Sequence, residues 1–165
     1  MADHLQVNTN LFVGFTRGDL EALAPAAERL ELAAGEVLCH RGEPGSSLYV
    51  VSHGCIEVRS QVGGREVVLA SVSPGEACGE LALVAGVRRT ADLVAVEATA
   101  VLEISRAKLD AALEYYPEVA SKLWHNLAVA LSQRLAATNA ALAKSMEINR
   151  KFVEDEDFRR AYGGV

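Results

Sequence analysis

The chain has 165 residues, 50% of them apolar and 23% charged, with a formal net charge of −6. That length supports one domain with a real core, and the acidic balance argues against a chain that itself wraps nucleic acid, where contact is mostly cation to phosphate. No apolar run approaches the roughly 18 residues of a membrane span, and Met1-Ala2-Asp3-His4 lacks the basic and apolar regions of a signal peptide, so a cytoplasmic protein is expected.

Residues 1–10 carry no periodic pattern and are expected to be loose. Leu11 to Ala27 reads as one or two short helices, with Thr16 and Asp19 spaced as a capping box and Leu20 and Leu23 on one apolar face. From Leu30 the period changes to two and turn signals recur. Leu30–Leu32 and Gly35–His40 read as strands, Arg41-Gly42-Glu43-Pro44-Gly45 as a turn, and Leu48–Val51 as a buried strand. His53-Gly54 then connects to Cys55–Arg59, and Gly63-Gly64 closes a hairpin into Glu66–Ala70. Two more strands follow at Asp92–Val96 and Ala100–Ile104. Short strands at this spacing predict an antiparallel sandwich or barrel. Cys39, Cys55 and Cys78 are an odd set without CxxC spacing and read as free thiols, small buried hydrophobes in strands.

Ser105 is positioned as an N-cap for a helix over Leu109–Tyr116 that stops before Pro117. A long helix is predicted from about Glu118 to about Ile148. Its leucines at 123, 127, 131, 135 and 142, with Met146, recur at spacings of four and seven. That stripe can cover the strands and also pair with a second copy of itself. Residues 149–165 form a short charged extension.

Between the strands, Pro74 to Val96 breaks the alternation: PGEACGELALVAGVRRTADLVAV. Gly79 lets the backbone approach a ligand and take φ > 0. Glu80-Leu81-Ala82-Leu83 can form a helical turn whose first N–H groups favour an anion. Arg89 adds a planar charged fork suited to two phosphate oxygens. Glu80 is suited to accept a hydrogen bond from a sugar hydroxyl. Thr90 can offer a hydroxyl, Ala82 and Ala91 leave room, and Arg88 points away from Arg89 if the segment is extended. The stretch therefore describes a ligand with a hydroxyl at one edge and a phosphate at the other.

Gly79-Glu80-Leu81-Ala82-Leu83, a spacer, then Arg89-Thr90-Ala91 resembles the phosphate-binding cassette of the cyclic nucleotide-binding domain. That family includes catabolite activator proteins, regulatory subunits of cyclic-nucleotide-dependent kinases and gated ion channels. The resemblance runs from about residue 10 to about residue 140. It implies an α+β fold: an eight-stranded antiparallel, jelly-roll-like β-roll over about 30–104, short N-terminal helices, and two C-terminal helices over about 105–148. It implies a ligand, cAMP or secondarily cGMP, rather than a cofactor or metal. Arg134–Asn139 is similar to the base-contacting stretch of catabolite activator proteins, but Thr138-Asn139 stands where they have a Thr-Ser pair. Thr90 leaves the base open, and Cys78 replaces an aromatic residue common before the Gly-Glu.

The function expected is a non-catalytic sensor in which ligand repositions the C-terminal helix and alters contacts within a homodimer or with an effector protein. The alternatives are a module of a larger kinase, channel or transcription regulator, or the same fold sensing another ligand. A cupin metalloenzyme would need an HxH pair, and His40 and His53 are isolated. Only about 15 residues follow Arg150, too few for a helix-turn-helix domain, so direct nucleic-acid contact is not expected.

Overall fold

The computed structural model describes residues 9–154. The loose segment expected over residues 1–10 and the extension over 149–165 fall mostly outside them. The chain divides into two compact units, one ending at Leu127 and the other beginning at Ala128.

The first unit opens with a 3-10 turn, Asn10–Phe12, and helix α1, Arg17–Leu23. The capping box is formed. Asp19 N donates to Thr16 Oγ1 at 3.2 Å and Thr16 N donates to the Asp19 carboxylate at 2.7 Å. Pro25 falls in a second 3-10 turn, Ala24–Ala26, where its missing N–H loses nothing.

The strands follow as β1 Ala27–Leu32, β2 Val37–Cys39, β3 Ser47–His53, β4 Ile56–Val62, β5 Arg65–Val72, β6 Ala77–Cys78, β7 Asp92–Ala95 and β8 Thr99–Ser105. They form two four-stranded antiparallel sheets, ordered β1-β8-β3-β6 and β2-β7-β4-β5. This is the β-roll that the family resemblance implied, beginning three residues earlier than expected and including β6, a strand of two residues in which no alternation can register. Gly63 and Gly64, at φ 58° and 78°, make the β4–β5 turn with the positive φ pair such a hairpin requires.

Strands β3 and β8 are buried on both faces, which is why Leu48–Val51 reads as a continuous apolar run rather than an alternating one. Leu48, Val50, Leu102 and Ile104 face a helical core. Tyr49, Val51 and Val101 face the roll interior with Leu32, Ile56, Leu93 and Ala95.

Helix α2, Glu80–Ala85, lies between β6 and β7. Helix α3 spans Arg106–Leu113, three residues earlier at each end than the spacing predicted, because the Ser105 hydroxyl caps it directly by accepting from Lys108 N at 3.4 Å. Helix α4 spans Pro117–Glu154 and outlasts the expected end near Ile148. Its first turns are amphipathic: Val119, Leu123 and Leu127 enter the helical core with Leu109, Leu113, Leu11 and Phe12. Beside that row Asn126 donates to Leu11 O and Val13 O, both at 2.9 Å, and Lys122 meets Asp19 at 2.6 Å. The second unit is the helix from Ala128 onward, where Leu135, Leu142 and Met146 are exposed.

The Lys122 ammonium and the Thr16 backbone amide hold the Asp19 carboxyl below its usual value of 3.8. A depressed folded pKa stabilises above the unfolded value and is lost as pH falls through the folded one. Asp19→Asn is therefore expected to lower the neutral-pH melting temperature, with the gap from the parent closing as pH drops below about 4. Thermal melts across that range check it.

Candidate functional site

The site is built where α2 leaves the sheet. Gly79, its N-cap, sits at φ 80°, ψ 6°. A side chain there would be strained in φ, and its Cβ would lie 2.5 Å from Arg89 Nη1 and 3.1 Å from Ser47 O. Glycine is thus required twice at this position. Glu80 opens the helix and is buried, at 7% exposure, where a carboxylate is favoured by the helix N-terminus. The amides of Ala82 and Leu83 both donate to Gly79 O, at 3.2 and 3.4 Å, so neither is left for an anion. The sequence predicted free donors along this first turn, and closure of the turn on its own carbonyl removes these two. Ala82 and Leu83 are buried, while Leu81 and Val84 point outward.

Arg89 lies in the irregular segment that leads to β7. Its main chain is gripped by the preceding turn: Gly42 N donates to Arg89 O at 2.8 Å, and Arg89 N donates to Glu43 O at 2.9 Å. Its side chain is only 7% exposed. Nη1 donates to Ser47 O at 2.8 Å and to Gly79 O at 3.4 Å, and Nη2 donates to the Tyr49 hydroxyl at 3.1 Å. The guanidinium carbon is 5.0 Å from the centre of the Tyr49 ring. These acceptors are two carbonyls and a phenol, all neutral. A buried guanidinium carries a large desolvation penalty that neutral partners offset only in part. Its charge is left to attract an anion.

The surrounding groups respond to the same burial. The Tyr49 hydroxyl is pushed up to about 12, chiefly by desolvation, against the pull of Arg89. Burial also raises the Cys39 thiol, again opposed by Arg89. Both therefore stay neutral at ordinary pH and do not cancel the guanidinium.

Glu80, Ala82, Arg89 and Ala91 are buried and Gly79 is half-buried, and the Arg89 side chain reaches back to Gly79 O at the start of α2. Leu81 and Thr90 belong to the same segment but are exposed. Arg88, expected to point away from Arg89, is exposed and donates to Gly42 O at 2.7 Å, so it braces the turn that holds Arg89. Thr138 and Asn139 stand in the second unit, both exposed, with the Thr138 hydroxyl donating to Arg134 O at 2.9 Å. Sequence reasoning missed Gly45, Ser47 and Tyr49. Glu43-Pro44-Gly45 was legible only as a turn, and Tyr49 only as one more member of an apolar strand.

The far end of α2 is tied down as well. Arg106 donates from Nη1 to Leu83 O at 2.8 Å and from Nε to both Asp110 carboxylate oxygens at 2.8 Å. Its guanidinium carbon is 5.5 Å from the Trp124 ring centre. One side chain thus joins α2, α3 and the first turns of α4. Among the described residues, no group of three His, Cys, Asp or Glu side chains could hold a metal ion, and no helix is long and apolar enough to cross a membrane.

Residues 29–116 match the family model of the cyclic nucleotide-binding domain. The chain belongs to that family. The Pycsar effector protein XpPycTIR of Xanthomonas perforans is 32% identical over 134 residues, 81% of this chain and 42% of that protein. The Cyclic AMP receptor protein of Thermus thermophilus is 33% identical over 133 residues, 80% of this chain and 60% of that protein. The chain thus spans under two thirds of the length of these relatives. The N-terminal domain of a transcriptional regulator from Streptomyces coelicolor A3(2) superposes with a TM-score of 0.68 at 34% identity, covering 81% of this chain and 92% of that one.

Gly45 offers a selective probe. A Cβ there would collide with Arg89 Nε and lie 2.8 Å from its Cζ, and the flexible guanidinium is what must give way. Gly45→Ala is expected to leave the melting temperature within a few degrees while weakening cyclic-nucleotide binding about tenfold, the effect of roughly 1–2 kcal/mol of misplacement. Calorimetric titration beside a thermal melt separates the two effects.

Proposed function

We propose that the chain is a non-catalytic cyclic nucleotide sensor, with cAMP the first candidate ligand and cGMP the second. The observation that carries this is the buried Arg89 guanidinium among neutral acceptors, nine residues after a buried Glu80 that follows a left-handed glycine. In this reading Arg89 holds the cyclic phosphate and Glu80 accepts from the ribose 2′-hydroxyl. Gly79 and Leu81 shape the cassette, and Ala82 and Ala91 leave space for the ring. Thr90, Thr138 and Asn139 read the base. Membership of the family and the 33% identity to a protein named a cyclic AMP receptor support it.

The proposed output is a population shift. Phosphate orders the cassette, α2 repacks, and the C-terminal helix moves; the ligand acts only through its difference in affinity for the two states. Arg106, bonded to the α2 carbonyl Leu83 O and stacked near Trp124, is a physical route for that coupling. The exposed Leu135, Leu142 and Met146, seven and four residues apart, fit a homodimer seam on α4. An effector protein in the cytoplasm receives the signal, and the acidic balance argues against direct nucleic-acid contact. A second reading, a regulatory module of a larger kinase, channel or transcription regulator, is favoured by the partial coverage of the relatives. The two readings share one site.

Titration with cAMP and cGMP tests the site. Arg89→Ala is expected to abolish binding, and 2′-deoxy-cAMP to bind roughly 10- to 100-fold more weakly, since a buried carboxylate without its hydroxyl partner costs on the order of 1–3 kcal/mol. Sedimentation of the same samples, with and without nucleotide, reads the dimer. Binding of neither nucleotide, or binding indifferent to Arg89, sinks the proposal.

A further inference from the structure

Tyr49 is an odd choice for its place. It lies in β3 between Leu48 and Val50, pairs in register with Cys78 of β6, and faces the apolar interior of the roll at 6% exposure. A phenylalanine would fill the same volume without burying a hydroxyl. The hydroxyl has a single use among the described residues, accepting from Arg89 Nη2 at 3.1 Å. The ring adds to it, with the guanidinium carbon 5.0 Å from its centre. The same ring runs beneath the cassette, where a Cβ on Gly79 would lie 3.4 Å from Tyr49 Cδ2.

The geometry of a guanidinium explains why this matters. The carbonyls of Ser47 and Gly79 both engage Nη1. The Ser47 bond is short, at 2.8 Å, and the Gly79 bond long, at 3.4 Å, so Nη1 alone sets where the group sits but holds its plane loosely. A second anchor at Nη2 fixes the plane, and with it the direction of the N–H groups that remain for an anion. A planar fork discriminates among phosphate oxygens only when its plane is fixed.

Resting on the reading of Arg89 as the phosphate ligand, we propose that Tyr49 is a positioning residue. Its hydroxyl fixes the plane of the Arg89 guanidinium and thereby determines which exocyclic oxygen of a bound cyclic phosphate the fork engages. The phenol is protonated across the neutral range, and burial moves its titration further from it, so it accepts from Arg89 without adding a charge that would compete with the ligand.

The test uses the full chain, cAMP, and the two phosphorothioate diastereomers of cAMP, which put sulfur at one or the other exocyclic position. The parent protein is expected to prefer one diastereomer. Tyr49→Phe keeps the ring and is expected to bind cAMP about tenfold more weakly, the range for one hydrogen bond to a charged group. Its preference between the diastereomers is expected to shrink toward parity, with the melting temperature within a few degrees of the parent. In an Arg89→Lys background the same substitution is expected to leave the diastereomer ratio unmoved, because an ammonium has no plane to fix. A parent indifferent to the two diastereomers overturns the proposal. So does a Tyr49→Phe variant with the parent's ratio, or a ratio that shifts equally in the Arg89→Lys background. Should the parent bind none of the three nucleotides, the phosphate reading falls with it. That pattern differs from a failure of Tyr49 alone, in which parent and variant discriminate equally.

Discussion

A buried positive charge is the constraint to which the first unit of this molecule is fitted. Arg89 is withdrawn from water into a pocket of carbonyls and one phenol, none of which can neutralise it. Such a group is costly to maintain in a fold whose total stability is on the order of 5–15 kcal/mol. The chain around it bears the marks of that choice. Gly45 and Gly79 lack side chains where a Cβ would strike the guanidinium. The Gly42–Glu43 main chain pairs with residue 89 on both sides, and Arg88 braces the same turn. Each of these contacts bears on where the charge sits.

Burial on both sides of β3 and β8 connects that charge to the rest of the unit. One face of β3 carries Leu48 and Val50 into the helical core, and the other carries Tyr49 toward Arg89. Leu83 of α2 lies in the same helical core as Leu109, Leu123 and Leu127. The cassette therefore shares a core with the base of α4 through its inner face, and Arg106 of α3 links the two by donating to Leu83 O while its guanidinium carbon lies 5.5 Å from the Trp124 ring centre. Tight packing of this kind transmits small displacements, since a close-packed interior has little free volume to absorb them.

Much of this was legible from residue types and spacing. Strand periodicity, the glycines at turns and the capping box of Thr16 and Asp19 are local signals, and the local structure follows them. The residues Gly79, Glu80 and Arg89 were recognisable because their chemistry is unusual at that spacing. What stayed hidden was set by tertiary contact. Tyr49 reads as an apolar strand residue until β3 is placed beside Arg89, 40 positions away. Gly45 reads as a turn residue until the guanidinium is laid against it. Strand β6, at two residues, is too short for any period to register, and its identity comes from pairing with β3. The start of α3 is a local matter instead: the Ser105 cap was legible, but the helix begins directly after it, before its first apolar residue, Leu109, enters the core.

The central claim is that the Arg89 guanidinium is held for a cyclic phosphate, and its own nitrogen is the most direct reporter. Nitrogen-15 NMR of the arginine Nε–H groups, assigned by comparison with Arg89→Lys, can follow that one resonance as ligand is added. With cAMP, the Arg89 Nε–H signal should shift and its exchange with water should slow, while adenosine, which has the same base and sugar but no phosphate, should leave it in place. Binding of cAMP with the Arg89 signal unmoved would contradict the account.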